Sequence, residues 1–341
     1  MNIRVKSNKK AVHYSLKIAF LRPGKLGDMI VITPLFRAVK AAFPDSYIAI
    51  ACSPYNEIVI RHNPFLDHIR VVNFHSFLHV IKLVLWIRKQ HFDWIIDCTP
   101  GISKTSTLIS RLVRSKSSCT AGMHKGHVTR FFDKATDNKD MHLIDRYKLL
   151  LENVLNCQFT GSFHPDLFFA DQHRIRAEKL IETVAGKSKI GINLSAGASE
   201  RQWTRENYHE YLKLLSEKYK NYALVLFSVN QQFVWAEEFT QEFKNAVCLP
   251  QTDLLTISAL VKCMSVFFTP DTSLMHIASG FTIPTVGIYC IGGENFIRWK
   301  SYKCMSRELV AVKSMDVNEI TPLEAFRATV DLLEEIVSKS V

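Results

Sequence analysis

Short apolar runs alternate with amphipathic, helix-length segments along most of this 341-residue chain, and the alternation occurs twice. In the first half, Ile18–Leu21, Tyr47–Cys52, Ile69–Val72 and Trp94–Cys98 read as strands, separated by helical patterns over Pro34–Phe43, Phe77–Lys89 and Ser103–Val113. Leu35, Val39 and Phe43 recur four residues apart, which is one apolar stripe of a helix. In the second half, the strands are Lys189–Leu194, Ala223–Phe227, Ser265–Thr269 and Thr285–Tyr289, and the helices Glu206–Lys218, Phe233–Phe243, Leu254–Cys263 and Thr272–Ser279. Strands that alternate with helices form βαβ units on a mainly parallel sheet. The expected class is therefore α/β, with two doubly wound, Rossmann-like domains facing a cleft and ligands at the carboxyl ends of the strands.

A helix over Leu143–Leu155 and a polar stretch from Gln158 to His164 separate the halves, and the boundary is expected near 165–188. The expected organisation is an N-terminal domain over 1–170 with a basic tail over 1–16, a second domain over 185–322, and a closing helix over 323–341. The tail reads as disordered or as a hold on anionic lipid, with disorder preferred.

Lys and Arg number 43 against 32 Asp and Glu, a net charge of +11, which suits an anionic partner: nucleic acid, an acidic membrane or a phosphorylated substrate. The eight cysteines form no CxxC pair and read as small buried hydrophobes in a reducing compartment. No secretory pattern opens the chain, and the longest apolar run, around Val80 to Ile87, is interrupted by Lys82. A cytoplasmic protein is expected.

Three stretches follow predicted strands, where a parallel sheet carries its chemistry. The first is Gly24-Lys25-Leu26-Gly27-Asp28, which is neither GxGxxG nor a P-loop. Asp28 reads equally as a helix cap and as a cleft-facing acid, because Thr33-Pro34 offers a better helix start, with Thr33 as N-cap. The second is Ser195-Ala-Gly197-Ala-Ser199-Glu-Arg201-Gln-Trp203. Its small residues and hydroxyls can cradle phosphate oxygens and Arg201 can clamp them; taken alone it is an ordinary loop anchored by Trp203. The third runs from Pro270, with Asp271 as a candidate cap and Thr272, Ser273 and His276 at a helix start whose N–H groups and dipole favour an anion. Together, an acid in one half and two phosphate-friendly loops in the other suit inverting transfer from a nucleotide-linked sugar. There is no DxD motif and no His/Cys cluster, so neither metal nor cofactor is expected.

Arg22…Gly27-Asp28-Met-Ile…Thr33-Pro34-Leu35, Gly197…Arg201-Gln-Trp203 and Asp271-Thr-Ser-Leu-Met-His276 with Ile283-Pro284-Thr285 resemble the ADP-heptose:lipopolysaccharide heptosyltransferases, glycosyltransferase family 9. Trp94–Asp97 before Gly101 and His142…Asp145-Arg146-Tyr147 add to the likeness. The resemblance implies a GT-B fold and a cytoplasmic enzyme, peripheral at the inner face of the inner membrane. It implies inverting transfer of heptose from ADP-L-glycero-D-manno-heptose to the lipopolysaccharide core. By position it makes Asp28 the general base and Ser195, Gly197, Arg201, Asp271, Thr272, Ser273, Leu274 and His276 the donor site. Both substrates being anionic, the basic balance then requires no nucleic acid. Acceptor contacts are expected from Lys25 and from the basic segment between Lys104 and Arg130. One departure bears on the donor: Ser228-Val-Asn-Gln-Gln232 stands where many members have a glycine and a glutamate. The alternatives are a family 9 type transferase using another nucleotide sugar and a non-catalytic lipopolysaccharide-assembly protein; retention of Asp28, Arg201 and Asp271 counts against the latter. A nicotinamide-dependent oxidoreductase lacks its GxGxxG.

Overall fold

The computed structural model describes residues 3–7, 15–184, 186–290 and 293–340. The chain divides into two compact units, Met1–Phe168 and Phe169–Val341.

The first unit opens with β1 (Ile3–Ser7), β2 (Lys17–Arg22), α1 (Leu26–Ile30), α2 (Thr33–Ala42), β3 (Tyr47–Cys52) and β4 (His68–Val71). It continues with α3 (Phe77–Gln90), β5 (Trp94–Asp97), α4 (Lys104–Val113), β6 (Cys119–Met123), β7 (Lys134–Thr136), α5 (Leu143–Leu155) and β8 (Cys157–Gly161). Six strands form a parallel sheet in the order β4-β3-β2-β5-β6-β7. β2 is buried along nearly its whole length, as a central strand covered on both faces must be. Ala19 and Leu21 point to the face covered by α3 and α4, in one core with Leu83, Ile87 and Ile109.

The second unit contains α6 (Asp171–Leu180), β9 (Lys189–Asn193), α7 (Arg205–Lys218), β10 (Ala223–Phe227), α8 (Gln231–Glu242), β11 (Ala246–Cys248) and α9 (Leu254–Val261). After these come β12 (Val266–Pro270), α10 (Ser273–Gly280), β13 (Thr285–Tyr289), α11 (Gly293–Trp299), β14 (Ser306–Val310) and α12 (Pro322–Ser340). Its parallel sheet has the order β11-β10-β9-β12-β13-β14. Trp203, Tyr208, Tyr211 and Phe268 anchor its core, into which α12 inserts Ala325 and Leu332. Trp203 is fully buried and donates its indole N–H to Ile320 O.

Both sheets have the order of a dinucleotide-binding fold, in which the chain first winds outward from a central strand and then returns to wind the other way. Each has one switch point, between β2 and β5 in the first unit and between β9 and β12 in the second.

Two expectations need correction, and one helix was not foreseen. Residues 3–7 of the basic tail form β1, which pairs antiparallel with β8, Val5 opposite Phe159; residues 8–14 lie outside the described chain. The polar stretch from Gln158 is that partner strand rather than a connection. Within 165–188 lies α6, which buries only Ala177 and so left no apolar stripe to read.

Candidate functional site

At the first switch point, β2 ends in Arg22, which is fully buried. Its guanidinium gathers the strand ends. Nη1 donates to Cys98 O at 2.5 Å, Nε donates to Asp28 O at 3.0 Å, and Nη2 pairs with Asp28 Oδ1 at 2.8 Å. The second carboxylate oxygen of Asp28 accepts from the Lys25 N–H at 3.0 Å. The choice between cap and cleft acid therefore dissolves. Asp28 sits in the one-turn helix α1, caps it with one oxygen, and is gripped by a buried cation with the other. Its side chain keeps 25% exposure. The helix start proposed at Thr33 also shifts: Ile32 is the N-cap of α2, and Thr33 lies inside the helix, donating to Ile30 O and accepting from the Asp166 N–H. Gly24 is required by this geometry, since a Cβ there would stand 2.6 Å from Asp28 Oδ2.

Gly24 also lines a cavity of about 540 Å³ with Pro23, Ser53, Tyr55, Asn73, Phe74 and His75, at the carboxyl ends of β2, β3 and β4. Sequence reasoning missed this cavity, because its wall comes from loops that share no motif. Asn56 builds one side of it by donating to Arg22 O, and Ser53 by donating to Gly24 O.

The basic segment from Lys104 to Arg130 is not one face. Lys125 is fully buried, 2.6 Å from the equally buried Asp97, and its ammonium also donates to Thr99 O and Gly101 O. With Arg22 and the Tyr147 hydroxyl both donating to Cys98 O, these cations pin the loop after β5. Arg114 pairs with Asp133, and Arg111 and Arg130 lie over the ring of Phe131. Lys104 and Arg130 are exposed, as is Lys25 beside Gly24. Arg146 is buried and holds Met141 O and the His124 ring. Burial pushes the Cys98 thiol up to about 12, so it stays neutral beside Arg22.

At the second switch point, the loop after β9 meets the turn after β12. Arg201 Nη1 donates to Asp271 O at 3.1 Å and stands 3.4 Å from its carboxylate. Asp271 does not cap the following helix. Thr272 does, its hydroxyl accepting from the Leu274 N–H and from the Asn193 amide. Asp271 is thereby left beside Arg201 at the strand end, with Ser273 at the first helical position. The Ser195 hydroxyl accepts from the Val229 N–H, and Gly197 is exposed, with open space where a Cβ would be. His276 turns inward, 4% exposed, its ring 5.6 Å from that of Trp299. The structure thus groups Ser195, Arg201, Asp271, Thr272 and Ser273 and places His276 in the packing beneath them. Sequence reasoning missed Asn193, the amide that ties Thr269 to Thr272; a polar residue at the end of an apolar strand was the available signal. Among the described residues no group of three His, Cys, Asp or Glu side chains is placed to hold a metal ion.

Two Rossmann-type units, one carrying a clamped acid and the other a cation and a helix start, are the make-up of a GT-B glycosyltransferase. The chain belongs to glycosyltransferase family 9, the heptosyltransferase family, whose sequence profile matches residues 80–319. It is 21% identical over 306 residues to lipooligosaccharide heptosyltransferase 2 of Campylobacter jejuni, covering 86% of this chain and 87% of that one. Its fold matches the family 9 glycosyltransferase of Veillonella parvula with a TM-score of 0.80 at 17% identity, over 96% of this chain and 99% of that one. It matches the ADP-heptose lipopolysaccharide heptosyltransferase II of E. coli with a TM-score of 0.73 at 18% identity, over 94% and 99%.

Proposed function

We propose that the protein transfers heptose from ADP-L-glycero-D-manno-heptose to the lipopolysaccharide core, with inversion, at the cytoplasmic face of the inner membrane. The observation that carries this is the Asp28 carboxylate, oriented by buried Arg22 and set against Gly24 in the cavity wall. A carboxylate in that position takes the proton of an acceptor hydroxyl as its oxygen attacks the anomeric carbon. The bond from that carbon to the diphosphate breaks on the opposite side, and the electron pair leaves with ADP. Arg201, the Ser195 loop and the N–H groups that open α10 have the charge and donors to stabilise that diphosphate. Arg201 and Asp271 lie side by side; the guanidinium is suited to the donor phosphates and the carboxylate to the sugar hydroxyls. The acceptor sugar is seated in the cavity, where Tyr55 and Phe74 offer aromatic faces.

The donor is tested by titrating the protein with ADP and with UDP in a calorimeter, then following the anomeric proton of the product by NMR. ADP binding at least tenfold tighter than UDP, and a product of inverted configuration, support this function. Tighter UDP binding would move the donor to another nucleotide sugar. That outcome has a motive in the sequence: Ser228-Val-Asn-Gln-Gln232 stands where the resemblance leads one to expect a glycine and a glutamate at the nucleotide.

A further inference from the structure

Helix α3 has two apolar faces. Val80, Leu83, Val84 and Ile87 are buried in the core. On the other side Phe77 is 72% exposed, Leu78 67% and Leu85 58%. A soluble unit gains nothing by presenting such side chains to water, and a contiguous patch of this kind marks an interaction surface. Helix α4 repeats the pattern, with Ile109 and Val113 buried and Leu108 and Leu112 exposed. Both helices cover the same side of the sheet, and Arg88 donates Nε and Nη2 to Leu112 O at 3.0 and 2.6 Å. That clip sets them side by side, so their outer residues form one surface.

Its charge selects the occupant. Neither helix contains an acidic residue. Leu78, Lys82, Leu85 and Lys89 follow one another at helical spacing along a single line, and Lys104, Leu108 and Arg111 do the same on α4. The two acids between Val72 and Cys119 are both engaged, Asp97 with Lys125 and Asp93 with the Lys17 N–H. Apolar side chains alternating with cations along one face match the boundary of a bilayer with anionic head groups. Leucines enter the acyl edge while the long basic side chains reach up to the phosphates. An acidic protein surface would meet the cations but leave the leucines between them without apolar partners. Among the described residues no helix is long and apolar enough to cross a membrane, so contact would be made at the surface.

We propose that the outer face of α3 and α4 docks the first unit on an anionic phospholipid surface. This rests on the reading above for a reaction at the membrane face and deepens it by naming the surface that makes the contact; neither donor nor acceptor is needed for that contact, so vesicle binding and transfer can fail separately.

The test is co-sedimentation of the full chain with vesicles of phosphatidylglycerol and phosphatidylethanolamine, against vesicles of phosphatidylcholine alone. The protein should sediment with the anionic vesicles only, and less so as salt is raised. Lys82→Ala and Lys89→Ala should each weaken partitioning about fivefold. The pair Leu78→Ser with Leu85→Ser should abolish it while thermal melting and ADP binding stay as in the wild type, because both side chains are exposed. Wild-type protein that remains in the supernatant, or variants that sediment as the wild type does, would overturn the proposal. So would a dimer, seen by light scattering, that the leucine pair dissolves in the absence of any vesicle binding.

Discussion

Arg22 is fully enclosed by its own strand ends, and the group it touches that reaches solvent is Asp28. A buried guanidinium that makes three contacts there fixes the carboxylate far more tightly than a surface pair would. Arg22→Met should leave ADP affinity unchanged and lower kcat on the order of a hundredfold, the cost of a misplaced catalytic group. Steady-state kinetics with calorimetry of ADP binding separates the two; an unchanged kcat would make the pair scaffolding. The position of Asp28, an acid after a strand and a glycine turn, stood out in the sequence, which read it equally as a cap and as a cleft-facing acid; in the structure it caps α1 and is held by Arg22. The roles of Arg22 and Lys125 were not legible, since a cation in the chain does not announce burial. Their partners, Cys98 O and Asp97, arrive from strands 76 and 28 residues away.

Most strands divide by how apolar they had to be, the exceptions being half-buried β4, which was read, and buried β6, whose small Cys-Thr-Ala-Gly run was not. Central strands such as β3, β10 and β13 are buried almost throughout and were read at their true bounds. Edge strands β7, β11 and β14 are only half-buried, carry mixed residues and left no run to recognise. At the second switch point, the loop after β9 supplies Arg201 to the start of α10. Arg201→Ala should weaken ADP binding by about ten- to a hundredfold, the value of a charge-assisted bond to phosphate. Calorimetry checks this, and an unchanged Kd would remove Arg201 from the donor site. Ahead of α12, Glu319 accepts from the backbone N–H groups of Ser314, Lys313 and Val312, which hold its carboxyl at about 2 against an ordinary 4.5. Its contribution to stability is complete above pH 4.5 and is lost as pH falls toward 2. Glu319→Gln should therefore lower the melting temperature above pH 4.5 and converge with the wild type as pH falls toward 2, which flattens the acid limb; an acid limb identical to that of the wild type would show that this loop does not report on folding.

As a whole, the molecule is one architecture built twice, each unit around its own core with its chemistry at its own switch point. That duplication was legible because the strand-and-helix alternation recurs. The strand order was not, because pairing between distant segments leaves no trace in either. The family resemblance extended from about Lys17 to the last helix, and the profile match covers residues 80–319. Asp28 is the proposed base for heptose transfer. The most direct test is the rate of transfer from ADP-heptose to heptose-deficient core lipid, with wild type and Asp28→Asn compared side by side. Turnover by the wild type and a loss of at least a hundredfold or so in Asp28→Asn, with ADP binding retained, is the predicted result. Equal rates in the two proteins would contradict it and leave Asp28 as the cap of α1.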